Sequence, residues 1–140
     1  MKAYLTRRYL FSASHRLHSD AMSAEENRAT YGKCNNPHGH GHNYRLEVTV
    51  SGQVDPRTGM VCNLVDLDGF IERELLSRYN LENLNTLREF SKSVPTTENL
   101  CAEIFEILQR RFHQAHLETV RIEETMMNSF EYSGTAELRR

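Results

Sequence analysis

A group of closely spaced histidines in the first third of the chain has the spacing of a metal site. The segment CNNPHGHGHNY, residues 34–44, carries histidines at positions 38, 40 and 42 after a cysteine. Side chains alternate between the two faces of a β-strand, so His40 and His42 would project to one face and reach a single ion together. His38 shares that parity but follows Pro37, and it could precede the strand. The spacing predicts a metal site without choosing among the three histidines.

A further ligand could come from His15, at the end of a predicted strand over residues 3–15. His15 shares a strand face with Phe11 and Ala13. Three imidazoles that leave a fourth position open are typical of catalytic zinc sites, whereas structural zinc sites more often use several thiolates. The alternative is that the histidines occupy a solvated turn, or that one of them is a hydrogen-bonded core residue. Spacing alone leaves both interpretations open.

Two other residues have a chemistry that depends on their surroundings. Cys34 is either an inert packing thiol or, beside a zinc ion and Lys33, a thiolate that can act as a base. Glu124 shares strand parity with Val120 and Ile122, which predicts a carboxylate on the apolar face. Such a carboxylate needs a partner, and two N–H groups of a planar, amidine-like heterocycle would provide one. Alternatively, Glu124 lies at a strand end near solvent.

The elements that must position these residues are predicted in the order β-β-β-α-α-β-β. Residues 18–33 are expected to form a long loop with one helical turn at 23–28. The predicted elements are a strand at 3–15, a strand at 43–51, a hairpin strand at 60–65, a helix at 67–79 capped by Asp66, a helix starting at Thr96 or Thr97, and strands near 118–125 and 129–137.

This order predicts an α+β fold, in which two helices cover one face of an antiparallel sheet of four or five strands. A sheet of this size has a free edge on each side. Assembly of several chains through those edges, with closure into a barrel, would remove them.

Composition argues against several classes of function. The 140 residues are 39% hydrophobic and 26% charged with a formal net charge of −2, which is not the footprint of a nucleic-acid-binding protein. Apolar runs are too short to span a membrane, and the N-terminus does not have the pattern of a secretory signal. Three cysteines do not make a disulfide framework. We therefore expect one cytoplasmic domain over residues 1–140, without nucleic-acid or membrane partners.

Six segments together resemble the family of 6-pyruvoyl-tetrahydropterin synthases and 6-carboxytetrahydropterin synthases. They are FSASHRL (11–17), CNNPHGHGHNY (34–44), DPRTGMV (55–61), NLVDL (63–67), PTTENL (95–100) and VRIEET (120–125). The likeness covers nearly the whole chain in order, and the long loop at 18–33 is similar to that of the animal-type branch. The resemblance implies a tunnelling fold, with trimers that close a β-barrel and stack into homohexamers.

The resemblance also implies a ligand set and a catalytic base. The metal ligands of the family match His15, His40 and His42, with Zn²⁺ as the cofactor, whereas His38 matches a position that is not a ligand. Cys34 matches the family's catalytic base.

Substrate recognition is implied at a second group of residues. Glu124 matches the glutamate that anchors the pterin ring, and Thr96, Thr97 and Glu98 match a segment that lines its pocket. The implied reaction converts 7,8-dihydroneopterin triphosphate to 6-pyruvoyl-tetrahydropterin, with release of triphosphate and no external redox cofactor. Alternatives within the family are 6-carboxytetrahydropterin synthesis for deazapurines and shortening of the dihydroneopterin side chain.

One departure from the family pattern concerns proton transfer. The family carries an Asp-His pair after the first helix, and the segment SRYNLENLN (77–85) has Asn80 and Leu81 at those positions. Asparagine is not a base, and a leucine side chain neither donates nor accepts a hydrogen bond. A function of another class therefore stays open, that of a pterin- or zinc-binding module without turnover.

Overall fold

A five-stranded sheet organises residues 1–134, the part of the chain that the computed structural model describes. The strand order is β3-β1-β2-β4-β5. The elements are β1 (Lys2–His15), α1 (Ala24–Tyr31), β2 (His40–Gln53), α2 (Leu64–Ile71), α3 (Ser77–Tyr79), β3 (Glu82–Asn83), α4 (Thr97–Arg111), β4 (His116–Thr125) and β5 (Asn128–Tyr132). A π-helical segment, Glu72–Leu76, joins α2 to α3. The α+β class predicted from the sequence is confirmed.

The two long strands pair over their whole length and set the position of the core. β1 and β2 are antiparallel, from Lys2 opposite Gln53 to His15 opposite His40. Alternation along these strands and β4 produces one buried face, which carries Phe11, Ala13, Tyr44, Leu46, Val48, Val50, Val120 and Ile122. The helices cover this face, as the two-layer prediction requires.

Side-chain hydrogen bonds hold α2 and α4 on that face. Asp68 of α2 accepts hydrogen bonds from the Tyr9 hydroxyl at 2.7 Å and from the Arg7 guanidinium at 2.8 Å and 3.0 Å. On α4, the Cys101 thiol donates to the Val120 carbonyl oxygen at 3.1 Å. The predicted start of α4 is confirmed, because the Thr96 hydroxyl caps the helix.

The expectation of a purely antiparallel sheet is wrong, because β3 runs parallel to β1. After α3 the chain reverses at Leu81, whose φ is 64°. The Leu81 amide donates to the Ser12 carbonyl oxygen at 2.6 Å, and the Asn80 side chain accepts from the Ser12 amide at 3.0 Å. These bonds fix the next residues beside β1, with Ala13 opposite Glu82, so the sheet is mixed.

The predicted hairpin strand at 60–65 and the Asp66 cap are also wrong. Residues 54–63 form no strand and make one isolated β-bridge, between Asp55 and Met60. The Asn63 side-chain oxygen accepts from the backbone amides of Val65 at 2.8 Å and Asp66 at 3.3 Å, so α2 starts at Leu64. The Asn63 side chain thus bonds to the backbone and starts a helix where the sequence pattern predicted a strand.

The loop predicted at 18–33 contains a two-turn helix, α1, rather than one turn. Ser23 and Glu26 form a reciprocal capping box at its start. The buried Asn27 side chain then fastens the helix to the preceding chain, because its amide donates to the carbonyl oxygens of Ser19 and Ser23 at 2.9 Å and 3.0 Å. This segment is thus ordered by local polar contacts rather than by an apolar stripe.

The last two predicted strands are found as β4 and β5. β5 ends at Tyr132, and residues 135–137 of the predicted strand lie outside the described residues. Within residues 1–134, no helix is both long enough and apolar enough to cross a bilayer.

The left-handed backbone at Leu81 generates a stability prediction. Asparagine populates this region more readily than leucine, and Leu81 is 81% exposed, so Leu81→Asn gives up little burial. We expect the substitution to raise the free energy of unfolding by roughly 0.5–1 kcal/mol.

Urea denaturation measures this effect, with Leu10→Asn as the control. Leu10 is 73% exposed but extended within β1, where asparagine is disfavoured. The control should therefore lose stability. Equal losses in both variants would contradict the strain at position 81.

Candidate metal centre and adjoining pocket

The pairing register of β1 with β2 brings three imidazoles together on the buried face. His15 lies opposite His40, and the small Ala13 lies opposite His42. The three rings pack edge to face, with centroid separations of 4.8 Å (His15–His40), 5.1 Å (His15–His42) and 4.7 Å (His40–His42). One nitrogen from each ring lies within 4.8 Å of the others. The geometry is therefore that of a three-nitrogen site.

The tautomer of His15 is fixed by its hydrogen bond to the chain before α4. Its Nδ1–H donates to the Pro95 carbonyl oxygen at 2.7 Å, which leaves the Nε2 lone pair directed elsewhere. The Nε2 atoms of His15 and His42 are buried and have no hydrogen-bond partner within residues 1–134. Buried, unpartnered nitrogens are costly unless a ligand satisfies them.

Burial also prepares these imidazoles for coordination. It lowers the pKa of His15, and it lowers the pKa of His42, so both rings are neutral near pH 7. A metal binds the neutral imidazole. The donor set, three nitrogens with no thiolate among them, fits zinc or another divalent metal of similar preference. The assignment of His15, His40 and His42 as ligands remains a prediction that this geometry supports.

His38 lies outside the cluster. It precedes β2 and is exposed, and Gly39 separates it from the strand with a φ of 73°. A Cβ at position 39 would lie 3.0 Å from the His15 carbonyl oxygen, so the turn passes directly against the end of β1. The left-handed glycine directs the chain from His38 into the strand, and the choice that spacing left open falls on His40 and His42.

Cys34 lies at the rim of the same site, on the 3₁₀ turn before β2. Its carbonyl oxygen accepts from the Leu17 amide at 2.8 Å, which ties this turn to the chain just after His15. The side chain is half-buried. Burial raises the pKa of the Cys34 thiol, and the negative charge of Glu124 raises it further. Without a bound ion both effects favour the protonated thiol at Cys34, and a role as a base beside zinc stays a prediction.

Glu124 lies near the end of β4 and is partly buried, close enough for its charge to act on His15, His42 and Cys34. The Thr97 hydroxyl donates a short hydrogen bond to Glu124 Oε2, and the Asn128 side-chain amide donates to Glu124 Oε1 at 3.3 Å. Two donors thus orient the carboxylate, and its negative charge also acts to raise the pKa of His15 and of His42. A planar ligand with two N–H groups could pair with this carboxylate.

Tyr44 is a site residue that sequence reasoning did not select. It follows His42 on the same face of β2, and the two ring centroids are 5.6 Å apart. Its hydroxyl is buried and makes no hydrogen bond of ordinary geometry within residues 1–134, although Thr97 lies close enough to act on its pKa. Burial raises the pKa of Tyr44, with Glu124 as the second cause, so the hydroxyl stays protonated and available as a donor. The available signal was strand parity with His40 and His42.

Comparison with known proteins adds to this geometry. The family model described as 6-pyruvoyl tetrahydropterin synthase matches residues 4–135. The chain belongs to this family. It is 47% identical to the 6-pyruvoyl tetrahydrobiopterin synthase of Poecilia reticulata over 132 residues, 94% of this chain and 90% of that protein. It is 45% identical to the human protein of the same name over 134 residues, covering 95% and 92%.

A solved structure of the family has the same fold. The Caenorhabditis elegans 6-pyruvoyl tetrahydropterin synthase superposes with a TM-score of 0.91 at 39% identity, covering 96% of this chain and 97% of that one. The five-stranded sheet and helices described above are therefore the architecture of the 6-pyruvoyl tetrahydropterin synthase family.

The residues where this family member departs from the expected Asp-His pair have structural roles. The Asn80 side chain is committed to the Ser12 amide. Leu81 lines a shallow cleft together with Ser12, Asn43 and His42, and it contributes no proton donor or acceptor there. Within residues 1–134, nothing at these two positions can transfer a proton.

Thr96, Thr97 and Glu98, which were predicted to line the pterin pocket, differ in burial and in hydrogen bonding. Thr97 is buried against Glu124. Thr96 is the N-cap of α4 and accepts from the Asn99 amide at 3.1 Å, and Glu98 is exposed in the first turn. Contact of Thr96 and Glu98 with a substrate stays a prediction.

Replacement of one imidazole tests the metal assignment. His40→Ala removes one of three donors, and we expect zinc affinity to fall at least about a hundredfold, since even outer-shell changes cost 10–100-fold. Equilibrium dialysis against zinc measures it. The matched control is His38→Ala, two residues away and exposed, which should keep full affinity. Full zinc stoichiometry in His40→Ala would overturn the assignment.

A second prediction concerns the influence of the Glu124 charge on the pKa of Cys34. Glu124→Gln removes a negative charge that disfavours the thiolate, so the pKa of Cys34 should fall. The pH dependence of alkylation of Cys34, followed by peptide mass spectrometry, reports that pKa. Glu123→Gln is the control, since Glu123 lies on the opposite sheet face and pairs with Arg45 at 3.6 Å. A pKa unchanged by Glu124→Gln, or lowered equally by both variants, would refute the coupling.

Proposed function

We propose that this protein is a zinc-dependent lyase that converts 7,8-dihydroneopterin triphosphate to 6-pyruvoyl-tetrahydropterin and releases triphosphate. The observation that carries the proposal is a three-imidazole cluster with a half-buried thiol and an oriented carboxylate, Glu124, whose charge acts on the pKa of His15, His42 and Cys34. Membership of the family, with relatives named 6-pyruvoyl tetrahydrobiopterin synthase at 45–47% identity, supports the same activity.

The proposed division of labour follows from the chemistry of each group. Zn²⁺ held by His15, His40 and His42 would supply Lewis acidity to the hydroxyl groups of the substrate side chain. Glu124 would hold the pterin ring through its two N–H donors, which fixes where the side chain lies relative to the imidazoles. Cys34 would accept and return protons at the side-chain carbons.

Substrate binding would also prepare the Cys34 base. Glu124 raises the pKa of Cys34, and a pterin that donates two hydrogen bonds to Glu124 offsets part of its negative charge. The weaker of the two causes that keep the thiol protonated is then reduced. Recognition of the ring is in this way coupled to activation of the base.

A second candidate function rests on Asn80 and Leu81. Neither side chain can relay a proton, and Asn80 is already used to hold β1. These facts favour a protein that binds a pterin and zinc without turnover. The related outcomes, 6-carboxytetrahydropterin synthesis and shortening of the dihydroneopterin side chain, use the same groups, and product analysis by mass spectrometry separates them.

We also propose that three copies close a barrel and that two such trimers form a homohexamer. The sheet supports this proposal. Within the described chain, β3 pairs with the outer side of β1 at Ala13 and Ser14, and the rest of that side is an open edge; β5 forms the other edge. Backbone groups on such edges favour pairing with another chain. We infer a cytoplasmic location, consistent with three free cysteines.

Triphosphate release by the zinc-loaded protein tests the proposed function. Cys34→Ala should lower the rate by about 10²–10⁴, the usual contribution of a positioned acid–base group. Cys62→Ala is the matched control, because Cys62 is a buried thiol packed in the core. The control should keep the wild-type rate, provided that circular dichroism shows it folded.

The alternative makes the opposite prediction. A binding module would bind dihydroneopterin triphosphate tightly and release no triphosphate, with or without Cys34. That result would replace the lyase assignment.

A further inference from the structure

A basic pocket lies beside the candidate metal centre, outside the groups used so far. It is a cleft of about 280 Å³. We call it the cationic pocket, and define it by the four side chains Arg16, His18, Arg28 and Lys33. Backbone and side chains of Asn35, Asn36 and Pro37 complete its wall, and no carboxylate residue lines it.

The cationic pocket is attached to the site through sequence neighbours. Arg16 directly follows His15, and Lys33 directly precedes Cys34. These two basic residues are therefore one residue away along the chain from a proposed ligand and from the proposed base.

Hydrogen bonds hold the two segments in this relation. Besides the bond from the Leu17 amide to Cys34, the Asn35 side-chain amide donates to the Leu17 carbonyl oxygen at 2.7 Å. The Arg16 Nε–H donates to the Asn35 carbonyl oxygen at 3.2 Å, which leaves its terminal N–H groups for a ligand. The pocket wall is thus built from the same strand end and turn that carry His15 and Cys34.

The charges of this pocket are not neutralised by the protein. Within residues 1–134, the side chains of Arg28 and Lys33 make no ion pair and no hydrogen bond. Asp20 pairs with His18 at 3.5 Å and lines the neighbouring cleft. Within residues 1–134, six of the ten arginines outside the pocket are in ion pairs, namely Arg7, Arg8, Arg45, Arg78, Arg111 and Arg121.

We propose that the cationic pocket binds the terminal phosphates of the substrate, through Arg28, Lys33 and the free N–H groups of Arg16. This inference rests on the proposed function, because it takes the pterin to be held at Glu124 with its side chain at the imidazoles. A polyphosphate at the end of that side chain carries several negative charges, and guanidinium and ammonium groups are its usual partners.

The energetic consequence is a preference for the phosphorylated pterin. Arg28 and Lys33 are exposed, so each charge contributes modestly and is screened by salt. Removal of both should cost about tenfold in affinity for the triphosphate form and leave the affinity for dephosphorylated dihydroneopterin unchanged. The preference should also weaken as ionic strength rises.

Calorimetric titration of the zinc-loaded protein tests this proposal. The probes are 7,8-dihydroneopterin triphosphate and 7,8-dihydroneopterin, and the quantity compared is the ratio of their two dissociation constants. The test variant is Arg28→Gln with Lys33→Gln. The matched control, Lys2→Gln with Arg57→Gln, removes the same charge at the far end of β1 and in the turn after β2.

The expected result is that the test variant loses about tenfold of the triphosphate preference and the control loses none. An unchanged ratio in the test variant overturns the pocket, as does an equal loss in both variants, which would indicate a non-specific charge effect. Loss of the preference in Lys92→Gln alone would assign the phosphates to the neighbouring cleft and overturn the pocket as well.

The same data separate this inference from the proposed function. If neither pterin binds the wild-type protein, the proposed function fails and this assignment fails with it. If both pterins bind and the ratio shifts as expected while no triphosphate is released, the pocket stands and the lyase activity does not.

Discussion

The pairing register between β1 and β2 is the constraint on which the site depends. It places His15 opposite His40, and it leaves the small Ala13 opposite His42, on the face that the helices cover. Because side chains alternate along a strand, a slip of one residue would move His40 and His42 to the polar face. The apolar neighbours on the same face, such as Leu46 and Val48, stabilise the correct register against that slip.

A single carboxylate connects the groups that this register assembles. Glu124 acts on the pKa of Cys34, Tyr44, His15 and His42, and it opposes the effect of burial at both histidines. Its own position depends on Thr97 and Asn128, which lie on other elements. The electrostatics of the pocket are therefore set where α4, β4 and β5 meet, at a distance along the chain from the imidazoles.

Sequence patterns predicted the parts of this structure that depend on periodicity. Strand alternation located β1, β2 and β4, and the Thr96 cap located α4. Periodicity gave wrong predictions where local backbone contacts compete with it. Asn63 caps a helix inside a predicted strand, and the left-handed backbone at Leu81 turns the chain parallel to β1. Parity admitted His38, His40 and His42 alike, and the resemblance to the family selected His15, His40 and His42. Tyr44 was not selected, because a buried tyrosine on an apolar face has no distinctive pattern. The hydrogen bond from His15 to Pro95 joins residues far apart in sequence, and no local pattern predicts it.

The candidate site combines side chains from the first 42 residues with side chains from residues 97 to 124, and these are synthesised at different times. All three imidazoles of the proposed ligand set belong to β1 and β2, so they are synthesised within the first 42 residues. Thr97 and Glu124 come from segments made much later. An ion held by these imidazoles would join β1 to β2 and so reinforce their register before α2 and α4 are made. Ring recognition has to wait for the C-terminal half, and the order of translation thus separates the two tasks of the site in time.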